Sequence, residues 1–210
     1  MPSTPSRREL RKRYRHARRE LAPTLQIEHA KRVARLVAAS GLLLLGKRFA
    51  AYAANDGELD PAPLVHLLTR AHKTVWLPVM GREKRLTWRR VQLADRLVRN
   101  RVGIAEPSAG AAYVPSTALD VVFVPLVAFD DAGHRLGRGG GHYDATFAPL
   151  ARRPLLVGLA HELQHAHELP HERWDAPLDA VITEQRVYGY SARARSFATK
   201  PLSHALQGDT

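Results

Sequence analysis

Residues 120–147 read DVVFVPLVAFDDAGHRLGRGGGHYDATF, and the fold of the whole chain is decided within them. The run 121–124 is apolar and β-branched, and Pro125 stops it before it reaches the length of a helix. Such a short run is typical of a strand that is buried on both faces of a sheet. From Tyr143 onward the pattern predicts a helix, with Asp144 in its first turn. A strand, a loop and a helix start, in this order, predict an α/β protein with an anion site between strand and helix.

The loop between this strand and this helix is rich in glycine and flanked by positive charge. Four of the five positions 137–141 are glycine, and two arginines and an aromatic pair surround them. Backbone N–H groups without side chains can approach a phosphate closely, and a helix N-terminus and arginines add positive potential. The residues predicted to bind a polyphosphate here are Arg135, Gly137, Arg138, Gly139, Gly140, Gly141, His142 and Tyr143.

Neither of the two common phosphate-binding motifs is present in this loop. A P-loop ends in Gly-Lys-Ser/Thr, and no lysine follows these glycines; the dinucleotide motif requires a third glycine where His142 stands. A flexible glycine turn without a ligand is the alternative interpretation. The flanking arginines, and Asp144 as a candidate magnesium ligand, favour a polyphosphate site of neither common kind.

Outside this stretch, short apolar runs alternate with amphipathic segments. This alternation predicts an α/β fold, a single-domain three-layer α/β/α sandwich with a mostly parallel sheet. We expect residues 1–190 to form that domain and residues 191–210, which have little periodicity, to form a C-terminal extension with the mobility of a chain end. The active site is expected at the carboxyl ends of the strands 48–54 and 121–125. Further strands are predicted over 74–79, 86–91, 154–160 and 179–183. Helices are predicted over 26–45, with an end near Ser40-Gly41 as the alternative, and from Pro61.

The composition limits the classes of function. The 210 residues include no cysteine, which excludes disulfides, thiolate catalysis and thiolate metal sites. No apolar run approaches the length that spans a membrane, and the basic N-terminus lacks the apolar core of a secretory signal. We therefore expect a cytoplasmic monomer without a membrane partner.

Half of the net charge of +12 lies in one predicted helix near the N-terminus. Residues 7–20 contain eight Arg or Lys and two Glu, and Ser6 with Glu9 forms a capping box at the helix start. Three interpretations are open: a solvated basic helix, an arm that binds nucleic-acid backbones, or a helix whose arginines fold back over a nucleotide in the glycine loop.

A motif of the zinc-protease type follows the strand predicted at 154–160. The residues His161-Glu162-Leu163-Gln164-His165 form a full H-E-x-x-H, and His171 has the spacing of a third zinc ligand. Glu168 stands where the extended motif requires glycine, no methionine turn follows, and Pro170 cuts the helix short. A zinc hydrolase is therefore one alternative to a nucleotide-binding enzyme, and a basic nucleic-acid-binding protein is the other.

The stretch VPLVAFDDAGHRLGRGGGHYD, residues 124–144, resembles the signature of the 5-formyltetrahydrofolate cyclo-ligase family, also called methenyltetrahydrofolate synthetase. The segment GLAHELQ…LPHERWDAPLDAVITE, residues 158–184, is similar to that family's closing segment. The resemblance implies small-molecule substrates and no nucleic acid. It implies the ATP- and Mg²⁺-dependent cyclisation of 5-formyltetrahydrofolate to 5,10-methenyltetrahydrofolate, through a phosphorylated formyl intermediate and with release of ADP and phosphate.

The resemblance also implies roles for individual residues. Arg7 and Arg11 correspond to two basic residues one helical turn apart that contact the nucleotide, which favours the third interpretation of the basic helix. Asp144 is implied to hold magnesium with the help of Asp179. The residues implied in catalysis are Arg138, His142 and Tyr143, and those implied in substrate binding are Ala53, Glu58, Arg138, Gly139, Gly140, Gly141 and His142.

The chain departs from the family's pattern at four positions, two of which, Arg7 and His142, have implied roles. Arg7 stands where lysine is common, Pro61 where a threonine follows the matched glutamate, and Leu126 where glycine is common. His142 stands where the family often has a first tyrosine. If that tyrosine's hydroxyl takes part in the reaction, His142 has to replace it, for example by a hydrogen bond to the formyl or phosphate oxygen.

Overall fold

One eight-stranded sheet organises the protein, whose structure is a computed structural model that describes residues 5–92, 95–99, 103, 105–108 and 110–198. The strand order is β12-β11-β10-β7-β1-β2-β3-β6. The helices are α1 Arg7–Arg19, α2 Pro23–Ser40, α3 Ala62–Arg70, α4 His142–Phe147 and α5 Ala192–Ala198. The strands are β1 Arg48–Ala50, β2 Thr74–Met80, β3 Leu86–Val91, β4 Val98–Arg99, β5 Ala105–Glu106, β6 Tyr113–Val114, β7 Val121–Pro125, β8 Ala128–Phe129, β9 Arg135–Leu136, β10 Leu155–Leu159, β11 Ala180–Ile182 and β12 Val187–Gly189.

The five central strands of this sheet, β11, β10, β7, β1 and β2, run parallel to one another. The flanking strands β12, β3 and β6 are antiparallel to their neighbours. Parallel pairing in the middle requires crossover helices, and these cover the faces of the sheet. The predicted α/β class with a mostly parallel sheet is therefore confirmed.

Strand β7 lies in the middle of the sheet, and its residues 121–124 are fully buried. Val121 and Phe123 pack into the core shared with α2 and α3, whereas Val122 and Val124 pack into the core on the other face, with Phe147 of α4. Both faces are covered, which is why the sequence of this strand is continuously apolar.

Helix α1 packs outside these two core layers, against a small hairpin formed by β8 and β9. Its thin apolar stripe, Leu10 and Tyr14, is buried against Val127, Ala128 and Leu136. The predicted capping box is present, because the Ser6 hydroxyl accepts from the Glu9 backbone and the Glu9 carboxylate accepts from the Ser6 N–H at 2.8 Å. The helix is thereby held at its start and along one face, and its charged faces are left for other contacts.

Two predicted elements end earlier than the sequence pattern indicates. The second helix stops at Ser40, since Gly41 adopts φ 82° as its cap, and Leu42–Leu45 form a separate 3₁₀ turn. Strand β1 ends at Ala50, and the apolar residues after it, Ala51 and Tyr52, are buried without being part of the strand. Tyr52, two residues further on, is buried beside the carboxyl edge of the sheet and donates to the Leu59 carbonyl at 2.6 Å.

The segment predicted to be a C-terminal extension begins with a helix that packs on the sheet. Helix α5 contacts β12, and its residues Ala194 and Phe197 are buried in the same core as β7. Residues 199–210 of that segment lie outside the described residues, and the division of the chain at residue 190 stays a prediction. In the part of the chain that the structure describes, no helix combines the length and the apolar character needed to cross a membrane.

Candidate active site

A cavity of about 730 Å³ opens at the carboxyl edge of the sheet. Its walls come from the chain after β1, the ends of β2 and β7, the glycine loop, α4 and α1. This is the edge at which parallel α/β sheets bind ligands. The predicted site residues that line the cavity are Arg7, Arg11, Ala53, Glu58, Arg135, Gly137, Arg138, Gly139, Gly140, Gly141, His142, Tyr143 and Asp144.

The glycine loop presents bare backbone to this cavity. Gly139 and Gly141 have φ of 108° and 70°, a backbone conformation that side chains other than glycine rarely adopt. Gly141 caps the N-terminus of α4. A Cβ atom added to Gly137 or Gly141 would meet no protein atom within 4 Å, so both positions face open space. The loop therefore leaves room for a bulky anion close to its backbone.

Arg135 and Asp144 fix the two ends of the loop to each other. The Arg135 guanidinium is buried and donates to the Asp144 carboxylate and to the Ala176 carbonyl. The same Asp144 oxygen, Oδ1, accepts from the Ala176 N–H at 3.0 Å. Its other oxygen accepts no hydrogen bond from the described residues, and the side chain is 26% exposed. Asp144 therefore keeps an oxygen that a hard cation such as Mg²⁺ could use.

The arginines of α1 lie over the glycine loop. Arg11 Nε donates to the Gly137 carbonyl at 2.8 Å, and Arg7 forms an ion pair with Asp175 at 2.9 Å. Although burial acts to raise it, the hydrogen bond from Arg7 holds the pKa of Asp175 below its usual value. Of the three interpretations of the basic helix, this arrangement fits the one in which its arginines fold back over the loop.

Glu58 is a buried carboxylate with an unsatisfied oxygen facing the site. Its Oε2 accepts from the Asn55 N–H at 3.1 Å, whereas Oε1 accepts no hydrogen bond from the described residues. The guanidiniums of Arg18 and Arg138 lie 3.7 Å and 3.9 Å from Oε1. Burial raises the pKa of the Glu58 carboxyl, although both arginines act in the opposite direction. A buried acceptor without a donor is costly in the protein alone and is suited to receiving a donor from a ligand.

Tyr143 and His142 begin α4 at the wall of the cavity. The Tyr143 hydroxyl is buried without a hydrogen-bond partner among the described residues, and burial and the Glu58 charge raise its pKa well above the usual value. His142 Nδ1 lies 2.9 Å from the Lys84 carbonyl and so carries the proton when the ring is neutral. Its Nε2 then faces away from Lys84, beside Gly140. Two side chains of the site therefore have hydrogen-bonding capacity that the protein does not use.

Asp179 lies elsewhere, at the amino end of β11. Its carboxylate accepts from the Arg153 guanidinium at 2.6 Å and from the Leu156 N–H at 2.9 Å, and it does not line the cavity. These contacts make it a residue that joins the starts of β10 and β11. The structure therefore gives no support to its implied role beside Asp144, and we leave it out of the metal site proposed below.

Several residues at this site were not identified from the sequence. Trp174 and Asp175 line the cavity from the segment before β11, and Tyr52 lines it after β1. Arg18 is buried behind Glu58, where it binds Asp56. The sequence did contain a signal for the buried arginine, since Arg18 lies at the same four-residue spacing as Leu10 and Tyr14 on one face of α1.

The H-E-x-x-H motif does not form a zinc-protease site. Residues Glu162–Gln164 are a 3₁₀ turn, so the two histidines do not lie one α-helical turn apart on one face. His161 lies 2.9 Å from His29, His165 Nε2 lies 2.8 Å from Asp131, and the His171 ring stacks on His134 at 3.7 Å. The three expected ligands are thus directed at three different partners.

Comparison with known proteins places the chain in a family. The profile of the "5-formyltetrahydrofolate cyclo-ligase family" matches residues 3–184. The 5-formyltetrahydrofolate cyclo-ligase of Escherichia coli (strain K12) is 39% identical over 178 residues, 83% of this chain and 98% of that protein. The NMR structure of Aquifex aeolicus 5,10-methenyltetrahydrofolate synthetase superposes with a TM-score of 0.77 at 29% identity, covering 97% of this chain and 99% of that one.

A second solved structure shares the fold at lower identity. The 5,10-methenyltetrahydrofolate synthetase of Mycoplasma pneumoniae superposes with a TM-score of 0.69 at 18% identity, covering 86% of this chain and 99% of that one. The match of residues 3–184 reaches from the start of α1 to the end of β11, and so it includes every element that lines the cavity. The chain therefore belongs to the 5-formyltetrahydrofolate cyclo-ligase family, whose members are ligases of folate metabolism.

Proposed function

We propose that this enzyme cyclises 5-formyltetrahydrofolate to 5,10-methenyltetrahydrofolate with ATP as co-substrate and Mg²⁺ as the assisting ion. The observation that carries the proposal is that one cavity joins a glycine loop with four arginines to a buried acceptor and apolar walls. A nucleotide polyphosphate needs the first set of groups, and a flat heterocycle with N–H donors needs the second. One cavity with both sets can bring the γ-phosphate to the formyl group.

The nucleotide end of the cavity is formed by the glycine loop and the arginines around it. Gly137 and Gly141 face open space, Gly139 lies against the Arg11 guanidinium, and Arg138, with its side chain 37% exposed, lines the same cavity. Arg7 and Arg11 close the site from α1. In phosphoryl transfer the protein contributes mainly position and positive charge, and these groups supply both.

Asp144 is the residue proposed to hold Mg²⁺. It offers an oxygen without a donor among the described residues, and Mg²⁺ in nucleotide sites often takes one or two carboxylates together with phosphates and water. The ion neutralises charge on the phosphates when it is bound. Arg135 holds the carboxylate in place from the buried side, so that the remaining oxygen faces the cavity.

The folate end is proposed to lie against Glu58 and the apolar walls. Tyr52, Pro78 and Leu86 give apolar surface, and the Ala53 position leaves space beside them. The N–H groups of the pteridine would donate to Glu58 Oε1, which lacks a donor among the described residues. The Tyr143 hydroxyl, buried and unpaired, would take part in the same recognition.

The proposed reaction has two steps. The formyl oxygen attacks the γ-phosphorus, the bond from that phosphorus to the bridging oxygen breaks, and ADP leaves. N10 then attacks the activated formyl carbon, the carbon–oxygen bond breaks, phosphate departs with the former formyl oxygen, and N10 gives up its proton. With both ring nitrogens protonated, His142 is proposed to donate from its Nε2–H, beside Gly140, to the formyl or phosphate oxygen during these steps.

Isotope transfer tests the mechanism directly. With 5-formyltetrahydrofolate labelled with heavy oxygen in the formyl group, the label should appear in the released phosphate, one phosphate and one ADP for each methenyl product. Arg138→Ala should reduce turnover by about 100-fold or more, because the variant lacks the positive charge that stabilises the transferred phosphoryl group. The exposed Arg152, outside the cavity, gives the matched control Arg152→Ala. Unlabelled phosphate, or product formation without ATP, would refute the phosphorylated intermediate.

A further inference from the structure

Behind the cavity, three side chains from separate elements meet in the interior. They are His29 of α2, His161 after β10 and Glu184 after β11, and one ligand atom from each lies within 4.8 Å of the other two. His161 is fully buried, Glu184 is 9% exposed, and His29 is partly buried. We propose that this group is a transition-metal site, with Zn²⁺ as its preferred ion, distinct from the magnesium site proposed at Asp144.

The distances suit a small divalent ion. His29 Nδ1 and His161 Nδ1 are 2.9 Å apart, and His29 Nδ1 lies 3.7 Å from Glu184 Oε2. Zinc binds histidine nitrogen and carboxylate oxygen at about 2.0–2.2 Å, which places neighbouring ligands of a tetrahedron about 3.3 Å apart. These two separations bracket that value, and the third, between His161 and Glu184, is within 4.8 Å, so binding one ion would require the side chains to adjust their positions.

The hydrogen bonding of the group is incomplete without an ion. Two ring nitrogens that face each other share a single proton, and His161 Nε2 is buried near Gly57 without a well-formed hydrogen bond among the described residues. Neutral imidazole is the form that ligates metals, and here the facing Nδ1 atoms of His29 and His161 both lie within 4.8 Å of a Glu184 oxygen.

An outer contact already orients the carboxylate. The Glu162 N–H donates to Glu184 Oε2 at 3.0 Å, the type of second contact that holds metal ligands in position. The fourth coordination position is left for water, which can enter beside His29, whose side chain is 15% exposed. Imidazole ligands select zinc over magnesium, so the two sites would discriminate between the two ions.

The site shares only His161 with the H-E-x-x-H motif. Its other ligands come from α2 and from the chain after β11, and so a bound ion would tie that helix to two neighbouring strands. The His161 ring lies beside Gly57, in the loop that carries Glu58. Metal binding should therefore stabilise the folded chain at the back of this loop.

The test uses the full chain without a polyhistidine tag, stripped by a chelator and titrated with Zn²⁺ by calorimetry and by thermal unfolding. We expect one zinc per chain at saturation, a rise of Tm with zinc, and no displacement by excess Mg²⁺. His29→Gln and Glu184→Gln should each weaken zinc binding by about tenfold or more. His165→Gln and His171→Gln, which remove the other histidines of the motif, should bind zinc as the unaltered chain does.

Absence of saturable zinc binding to the unaltered chain would overturn the proposal. So would an affinity that is unchanged in His29→Gln, or one that is lost in His165→Gln instead. Circular dichroism of the zinc-free variants shows whether each one folds. If either variant does not fold, the visible spectrum of Co²⁺ bound to the unaltered chain is the test. The site predicts the spectrum of tetrahedral Co²⁺ with nitrogen ligands. An octahedral spectrum like that of aqueous Co²⁺ would contradict it.

Discussion

The guanidinium of Arg18 is completely buried and is bound to Asp56 in two ways. Its Nη2 donates to the Asp56 carboxylate at 3.0 Å and its Nε to the Asp56 carbonyl at 2.8 Å, while Nη1 donates to the Leu126 carbonyl at 3.0 Å. Arg15 and Arg19 bind the same carboxylate from the surface. Helix α1, the loop before Glu58 and the chain after β7 are thus held at one point, and this joins the arginines proposed to bind the nucleotide to the acceptor proposed for folate.

Replacing Arg18 by methionine should destabilise the protein and weaken the binding of both proposed substrates. Removing one partner of a buried charge pair costs about 3–5 kcal/mol. Here the Asp56 carbonyl loses its donor and the Glu58 carboxylate loses one of its two neighbouring cations. Denaturant unfolding of Arg18→Met should show a lower midpoint, and KM should rise for ATP and for 5-formyltetrahydrofolate. Lys12→Met, on the exposed face of the same helix, should change neither quantity appreciably. Arg18→Lys should fall between the two, since lysine lacks the planar fork.

The buried Glu58 carboxylate should lower the free energy of unfolding near neutral pH, although it is the group proposed to bind the folate. Burial raises its folded pKa above the unfolded value, so its favourable contribution is complete below the unfolded pKa and is lost as pH rises through the folded pKa. Glu58→Gln, which keeps an oxygen for the Asn55 N–H, removes this loss. We expect the variant to be as stable as the parent at low pH and more stable at neutral pH.

The same variant should bind folate poorly. A neutral amide in place of the carboxylate accepts weaker hydrogen bonds from the pteridine, and KM for 5-formyltetrahydrofolate should rise by about tenfold or more, with KM for ATP little changed. Unfolding free energies measured from acid to neutral pH check the first part, and steady-state kinetics check the second. Glu168→Gln, on an exposed loop, is the control. If Glu58→Gln is less stable than the parent at neutral pH but not at acid pH, the proposed cost of burying the Glu58 carboxylate is contradicted.

Two tyrosines of the cavity should respond oppositely to loss of the hydroxyl. Tyr52 donates to the Leu59 carbonyl at 2.6 Å, so Tyr52→Phe leaves a buried acceptor unpaired and should cost about 1–3 kcal/mol. Tyr143 has no such partner among the described residues, and Tyr143→Phe should leave the stability of the ligand-free protein unchanged or higher. Its activity should nevertheless fall, by about tenfold for one lost hydrogen bond to the ligand. Equal destabilisation by both variants would show that Tyr143 is bonded in the free protein.

Two alanine substitutions in the glycine loop should have different effects, one by straining the backbone and the other by filling space that the ligand needs. Gly139→Ala places a side chain at φ 108° and should cost about 1–3 kcal/mol of stability. Gly137→Ala adds a methyl group that meets no protein atom within 4 Å, so the ligand-free protein should keep its stability. That methyl group occupies the cavity, and the affinity for ATP should decrease. Unfolding curves with and without ATP distinguish the two cases, and normal ATP binding by Gly137→Ala would exclude the loop from the phosphate site.

The sheet and the phosphate loop were predictable because their signals are local. Residues 121–124 are apolar without interruption since both faces are covered, and four of the five residues that precede α4 are glycine. The boundaries were less predictable. Ala51 and Tyr52 are as apolar as a strand, but they are buried at the carboxyl edge, where they support the site. Burial alone does not distinguish a strand from the wall of a cavity.

Contacts between distant segments could not be predicted. The sequence places Asp56 and Arg18 in separate elements, and a single charged residue in each has no distinguishing pattern. The approach of His29 to His161 depends on how α2 crosses the sheet, which periodicity does not specify. The H-E-x-x-H motif shows the converse, since its spacing is correct for zinc and the 3₁₀ turn directs its histidines apart. Spacing has chemical meaning only in the backbone conformation that the motif assumes.

His142 provides the last test, because the family's pattern commonly has tyrosine at its position. Its Nδ1 donates to the Lys84 carbonyl at 2.9 Å, and the Nε2–H of the doubly protonated ring is the group proposed to donate to the reacting oxygen. His142→Ala should lower kcat by about 100-fold, the usual effect of one lost donor to a developing charge, with smaller changes in KM. His142→Tyr should restore most of the activity, since a hydroxyl can donate to the same oxygen. The control is His66→Ala, at an exposed position of α3, which should have no effect. Steady-state kinetics of the three variants measure this, and full activity of His142→Ala would show that neither hydrogen bond contributes to the reaction.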